Sequence, residues 1–336
     1  MSKRTSDFLL RFLKTIALPF IVYLIFMILS HGKTCSVDSI MTILQQAIIT
    51  TTMACGMVFT FRIGLWDFSV GAVVTLAAIV GGALTVKNNF GLIGLIVFCI
   101  ITALICSTLT GTVFALLKIP SIIVSIGMLL IYETLSSTMF DAAGATIPPS
   151  MRNITVLAKT PQIFIVGLIA IVLASIIYDH TQFGCHIKAI GSNANIAQRC
   201  GINVLQVRFW GFSISGLFLG IAAILEISLN GSMKPVVNMS TMSLAFDAII
   251  ALFLGMYLSK FCGLIIGVLV GGITMRIIAS GLLTLGLISS LQDIVKGAMM
   301  ILFISLASTQ NGMTDAVRKL KNKIKQKKLN VNDLNG

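Results

Sequence analysis

Residues 90–117 read FGLIGLIVFCIITALICSTLTGTVFALL, an unbroken apolar run without one charged side chain. A helix rises about 1.5 Å per residue, so about 20 apolar residues cross a hydrocarbon core of roughly 30 Å. Lipid supplies no water to satisfy backbone amides, so such a run must be helical. A transmembrane barrel would alternate polar and apolar residues instead, and this stretch does not.

Similar runs recur along the chain. Ten spans are expected, near 13–30, 40–61, 64–86, 90–117, 119–140, 162–178, 209–229, 242–258, 261–285 and 287–308. The third is the least regular, because it opens with Asp67 and Ser69. The composition agrees: 57% of residues are hydrophobic and 10% charged, with a mean hydropathy of +1.01. A soluble domain carries about a quarter charged residues. The expected fold class is therefore all-α, a polytopic transmembrane helical bundle occupying residues 1–308.

The first apolar run, Thr15–Leu29, follows Lys3, Arg4, Arg11 and Lys14, as in a signal peptide. The residues after it (Ser30, His31, Gly32, Lys33) offer no small-x-small cleavage site, so an uncleaved first span is expected.

A net charge of +13 would point a soluble chain toward nucleic acid. In a membrane protein the same excess marks cytoplasmic loops. With both termini placed in the cytoplasm, 17 of the 24 Lys and Arg residues fall on cytoplasmic segments and five on outer ones. Arg276 and Lys296 lie within spans. No nucleic-acid partner is expected. The basic tail, 309–336, reads as a cytoplasmic segment near anionic lipid headgroups. Two connections exceed ordinary length, an outer one over Asp141–Pro161 and a cytoplasmic one over Asp179–Arg208.

No catalytic signature is present. The chain lacks a G-x-x-x-x-G-K-[ST] loop and an H-E-x-x-H motif. The three histidines (His31, His180, His186) form no ligand set. The seven cysteines are scattered without a C-x-x-C pair, and they read as small packing residues. Neither a catalytic residue, a metal site nor a cofactor is expected.

Charge inside a bilayer is costly, so ionisable residues in spans face a cavity or a partner. They are Asp67, Glu133, Glu226, Asp247, Arg276, Asp293 and Lys296. Asp293 and Lys296, spaced i, i+3, can neutralise one another. Arg276 can pair with an acid on a neighbouring helix or sit near an interface. Glu226 lies close enough to a span end to reach water. Asp67, with its neighbour Ser69, Glu133 and Asp247 have no obvious partner in their own helices. They are the candidates for lining a translocation path. Gly263, Gly267 and Gly271 share one helical face and permit close packing.

Three stretches go beyond composition. Gly64-Leu65-Trp66-Asp67-Phe68-Ser69-Val70-Gly71 is similar to a G-[IV]-D-L-S-V-G motif. Residues Gly184 to Ile202, GCHIKAIGSNANIAQRCGI, resemble a cytoplasmic-loop motif, A-I-G-G-N-x-x-A-A-x-x-x-G-I. Phe246–Gly255 resembles A-D-A-I-A-A-x-x-L-G-G. Together, and in this order, they resemble permease subunits of ABC importers of the ribose, xylose and galactose type. The chain departs from that pattern in places. Trp66 is an extra residue before the aspartate, Ser192 replaces a glycine, Ile196 replaces an alanine, and Met256-Tyr257 follows Gly255. Nucleoside and autoinducer-2 permeases share the fold and remain alternative readings, as does a stand-alone secondary transporter. Branched-chain amino acid permeases rank last, because their first motif lacks the pairing seen at Asp67 and Ser69.

The resemblance implies a multi-pass protein of the bacterial plasma membrane. It implies a separate cytoplasmic ATPase, a second permease subunit, an extracytoplasmic binding protein and a small sugar as cargo. Within 179–208 it implies a short coupling helix near Ala194–Cys200, with Gly184, Ala189, Gly191, Asn193, Ala197, Arg199 and Gly201 as the ATPase-coupling residues. Asn193 suits an N-cap and Gly201 a C′ position.

Overall fold

The computed structural model describes residues 3–305 except 31, 32, 118 and 289. The basic tail, 309–336, lies outside the described residues.

The helices, in chain order, are α1 (Lys3–Leu29), α2 (Val37–Phe61), α3 (Val70–Asn88), α4 (Gly91–Leu117), α5 (Ser121–Thr138) and α6 (Gln162–His180). They continue with α7 (Gln182–Ser192), α8 (Ala194–Arg199), α9 (Val204–Asn230), α10 (Met242–Leu258) and α11 (Leu264–Thr284). Residues 290–305 form a last described helix, α12. Seven of these (α2, α3, α4, α5, α6, α9 and α11) are long and apolar enough to cross a membrane. Thr15–Leu29 and Met242–Leu258 are shorter apolar helices. The chain is an all-α polytopic membrane protein.

Local chemistry sets the helix ends. Ser36 caps α2, its hydroxyl accepting from Ser39 N at 3.1 Å. Asn203 caps α9 through Gln206 N at 3.2 Å, which starts that helix five residues before the expected span. Gly231, at φ +69°, closes α9 in the left-handed conformation.

Packing is inverted relative to a soluble protein. The α4 span carries no charge, yet 33% of its most apolar window is buried, and for α6 the share is 28%. The corresponding share for α2 and α3 is 72%. Apolarity therefore does not decide which helix sits inside, because lipid tails solvate leucine as well as protein does. Small residues decide it. A Cβ on Gly267 would meet the Gly255 carbonyl, and one on Gly271 would meet the Ala251 carbonyl, so α10 and α11 touch backbone to backbone. Gly263, the third glycine of that face, is the N-cap of α11 and has open space around it. Leu18 of α1 and Met299, Met300 and Phe303 of α12 pack around Ile250, Leu254 and Met275.

At one end of the bundle, β1 (Ala145–Thr146) pairs antiparallel with β2 (Ser232–Met233). Ile147 N adds a bond to the Gly231 carbonyl at 2.9 Å. The connection after α5 is thereby tied to the one after α9. A 3-10 segment, Pro149–Ala158, lies on this end against α4, α6 and α9. At the opposite end α7 and α8 cover the close of α2 and the start of α9.

Candidate translocation path and coupling segment

The third helix begins at Val70, not at 64 as expected. Gly64 adopts φ +83°, a conformation glycine takes without strain, and stops continuation from α2. Asp67 Oδ1 then accepts from both Ser69 N (2.9 Å) and Ser69 Oγ (2.6 Å). This local turn competes with helix and leaves a buried carboxylate at the positive end of α3.

Glu133 does for α10 what Asp67 does for α3. Its Oε1 accepts from Thr241 N (2.8 Å) and Thr241 Oγ (2.6 Å), and its Oε2 accepts from Met239 N (2.8 Å). Asn238 and Met239 are held at positive φ beneath it. The two helix starts meet: a Cβ on Gly71 would collide with the Thr241 carbonyl. Asp67, Ser69 and Glu133 are thus gathered around two converging helix N-termini inside the bundle.

An aromatic wall borders this point. Phe61 stands edge-on to Trp66 and to Phe253, each with ring centroids 4.9 Å apart. Trp66 stacks on Phe68 at 6.0 Å, and Phe68 meets Phe246 edge-on at 6.3 Å. Sequence reasoning noted Trp66 only as an extra residue in the motif and did not single out the other rings. The usable signal was the seven-residue interval between Phe246 and Phe253, two turns on one helix face.

Asp247 belongs to a separate network. Lys296 Nζ lies 3.0 Å from Asp247 Oδ1 and 3.0 Å from Ser243 Oγ. Arg276 Nη1 lies 3.7 Å from Asp247 Oδ2, and its Nε donates to Thr50 Oγ1 at 2.6 Å. Lys296 reaches Asp293 only at 3.9 Å, and Asp293 is largely exposed. The same-helix pairing is therefore secondary to a link from α12 to α10. Glu226 hydrogen-bonds Asn230 at 2.9 Å.

Removing one partner of a buried ion pair costs about 3–5 kcal/mol. Lys296→Met should cost about 2–3 kcal/mol, because Arg276 remains beside Asp247. Lys296→Met combined with Asp247→Asn should recover most of that loss. Thermal unfolding of the purified protein reads both, and equal melting temperatures for wild type and Lys296→Met would refute the link.

The Gly184–Ile202 stretch folds as two helices. Thr181 caps α7 by accepting from Gly184 N at 3.2 Å. Gly184 abuts the Tyr178 carbonyl and Gly191 the Arg62 carbonyl, so neither position has room for a side chain. Ile187 and Ile190 are buried on the same face, with Ala189 half-buried. This helix was not expected. The helix that was expected is α8. Asn193 Oδ1 accepts from Asn195 N (3.0 Å) and Ile196 N (3.1 Å). Gly201, at φ +86°, ends it, with Ile202 N bonded to the Ala197 carbonyl at 3.1 Å. Ala197 is buried beneath α8, whereas Asn195, Gln198 and Arg199 are exposed and Ile196 is 60% exposed. Lys188 pairs with Asp179 at 2.9 Å. Among the described residues, no group of three or more His, Cys, Asp or Glu side chains could hold a metal ion.

No solved structure shows significant similarity to the chain. Among curated proteins it is similar to a galactose/methyl galactoside import permease protein of Haemophilus influenzae, 27% identical over 292 residues, covering 79% of this chain and 85% of that protein. A ribose import permease protein of the same organism is 28% identical over 327 residues, covering 93% of this chain and 98% of the other. A fructose import permease protein of Rhizobium meliloti is 23% identical over 307 residues, covering 86% and 84%. Residues 39–304 match the family described as the permease component of the branched-chain amino acid transport system. By that match, which takes in the two converging helix starts and the whole α7–α8 segment, the chain belongs to this family of transport permeases.

Proposed function

We propose that this multi-pass bacterial inner-membrane protein is the permease of an ABC importer that moves a small neutral sugar. A permease component performs no chemistry of its own, so the energy must come from a separate cytoplasmic ATPase. The observation that carries this reading is α8. It is capped at both ends by motif residues, anchored by Ala197 and exposes Ile196 and Arg199 away from the bundle. A short helix of this kind suits a groove on a partner that closes on ATP. Gly184 and Gly191 seat α7 on the ends of α6 and α2, and a push on α8 is thereby delivered to the bundle.

In this reading the chain makes ten crossings, and both termini are cytoplasmic. A second permease subunit completes the path, and an extracytoplasmic binding protein delivers the sugar. Asp67, Ser69, Glu133 and Asp247 shape the path by fixing helix positions. The sugar cargo is supported by the relatives, which are galactose, ribose and fructose import permeases.

The test is reconstitution in proteoliposomes with the partner ATPase and binding protein. ATP-dependent uptake of labelled ribose, galactose or fructose is expected. Uptake of purine nucleosides without uptake of any sugar would overturn the cargo assignment. Uptake without an ATPase would overturn the mechanism.

A further inference from the structure

At the end of the bundle opposite α7 and α8 there is an open cleft of about 430 Å³, lined by Gln45, Thr155, Lys159, Thr160, Ser228 and Leu229, with Ala158 at its edge. That volume falls within the roughly 300–1,000 Å³ typical of small-molecule sites. Gln45 comes from α2, Ser228 and Leu229 from α9, and the rest from the 3-10 segment and the turn after it. Gln45 lies eight residues into α2, about 12 Å from the helix start at 1.5 Å per residue.

Ser228 is the informative residue. It is 5% exposed, and its hydroxyl has no hydrogen-bond partner. An unpaired buried hydroxyl destabilises a fold, and apolar replacement is usually neutral or favourable. Three of the other unpaired hydroxyls have a packing reason to be small. A Cβ on Gly272 would meet Thr51, one on Gly216 would meet Ser107, and one on Gly56 would meet Ser215. Ser228 abuts no such glycine contact and lines a cleft instead.

We propose that this cleft is an entry subsite for a neutral, polyhydroxylated ligand of monosaccharide size, with Ser228 at its base. The proposal deepens the sugar-permease reading and rests on it. The lining chemistry suits such a ligand. The Gln45 amide and the Thr160 hydroxyl both donate and accept, as sugar hydroxyls do. Leu229 and Ala158 present apolar surface to ring C–H groups. Among the described residues no carboxylate lines the cleft, which argues against a metal cation, and the one exposed ammonium among them, Lys159, is too little to define an anion site. Few contacts are needed, because a subsite on a transport path must release its ligand.

The test uses Thr160→Cys in a full-length chain with Cys35, Cys185, Cys200 and Cys262 replaced by serine, assembled with its ATPase in proteoliposomes. A hydrophilic thiol reagent should label position 160, which is exposed in the cleft lining, and millimolar ribose, galactose or fructose should slow labelling at least threefold. Glucuronate should protect less. Ser228→Ala should lower ATP-driven uptake several-fold while its melting temperature equals or exceeds that of wild type. Labelling indifferent to every sugar, or a lower melting temperature in Ser228→Ala, would overturn the subsite. If wild-type uptake is normal under those results, the cleft assignment fails alone. If wild type moves no sugar, the functional reading fails with it.

Discussion

Replacing Glu133 with alanine is expected to destabilise the permease by about 3–5 kcal/mol, the larger of two effects compared at this position. Three donors converge on that carboxylate: Met239 N, Thr241 N and Thr241 Oγ, at 2.6–2.8 Å. Each buried donor left unpaired costs about 1–3 kcal/mol. Hydrogen bonds inside membranes average less than this, but here three donors share one buried acceptor and lose it together. Glu133→Gln keeps the shape and one acceptor oxygen, yet turns an amide N–H toward a backbone N–H. It should cost about 1–2 kcal/mol. Thermal unfolding in detergent reads the order: wild type, then glutamine, then alanine. Because the same carboxylate holds the start of α10 against Gly71 of α3, uptake should fall in that order too. An alanine variant that unfolds within 1 °C of wild type would refute the clamp.

How much of this was legible in the sequence depends on what each signal reports. Hydropathy reports solvent, so α4 and α6, the apolar helices least buried within the chain, were the easiest to read. It failed at the start of α3, where the apolar run continues but the backbone does not. There Gly64 and the Asp67–Ser69 turn end the helix geometry without ending the apolarity. Cap residues report their own few neighbours, so Asn193 and Gly201 bounded α8 correctly. The α7 helix was missed because its apolar positions are few. Its signal was the seven-residue interval between Gly184 and Gly191, with Ile187 between them on the buried face.

Charge pairing was the least legible. A spacing of i, i+3 identifies neighbours on one helix and nothing else, so it suggested Asp293 for Lys296. The preferred partner, Asp247, is 49 positions away and lies on another helix. Arg276 had been left open between a neighbouring acid and an interface, and it pairs with the same aspartate. For the acids chosen as path candidates, the sequence identified which groups are buried but not what holds them. Asp67 and Glu133 are bound to helix starts and Asp247 to two cations. They can therefore shape a path by positioning helices, leaving direct ligand contact to hydroxyls, amides and rings.

The second large effect is expected in α8. Asn193→Ala with Arg199→Ala should lower ATP-driven uptake about a hundredfold while the protein inserts and folds normally. The argument rests on length. A six-residue helix cannot sustain itself, because nucleation is unfavourable and isolated helices shorter than about 12–15 residues are marginal in water. The N-cap contributes about 1 kcal/mol, which here is a large share of what keeps α8 ordered. Asn193 supplies two of its bonds, and without them the exposed face of Ile196, Gln198 and Arg199 loses its fixed orientation. Removing Arg199 deletes the cation on that face and the favourable interaction with the helix C-terminus. Global stability should hardly move, since both side chains are exposed and the buried anchor, Ala197, is untouched. The diagnostic result is a split: unchanged melting temperature and basal ATPase activity, with stimulation by the loaded binding protein and uptake both lost. Asn193→Asp, which retains the cap and places a negative charge at the helix start, should restore most of the activity in the single variant. Wild-type uptake in the double variant would refute the assignment of α8 as the coupling helix.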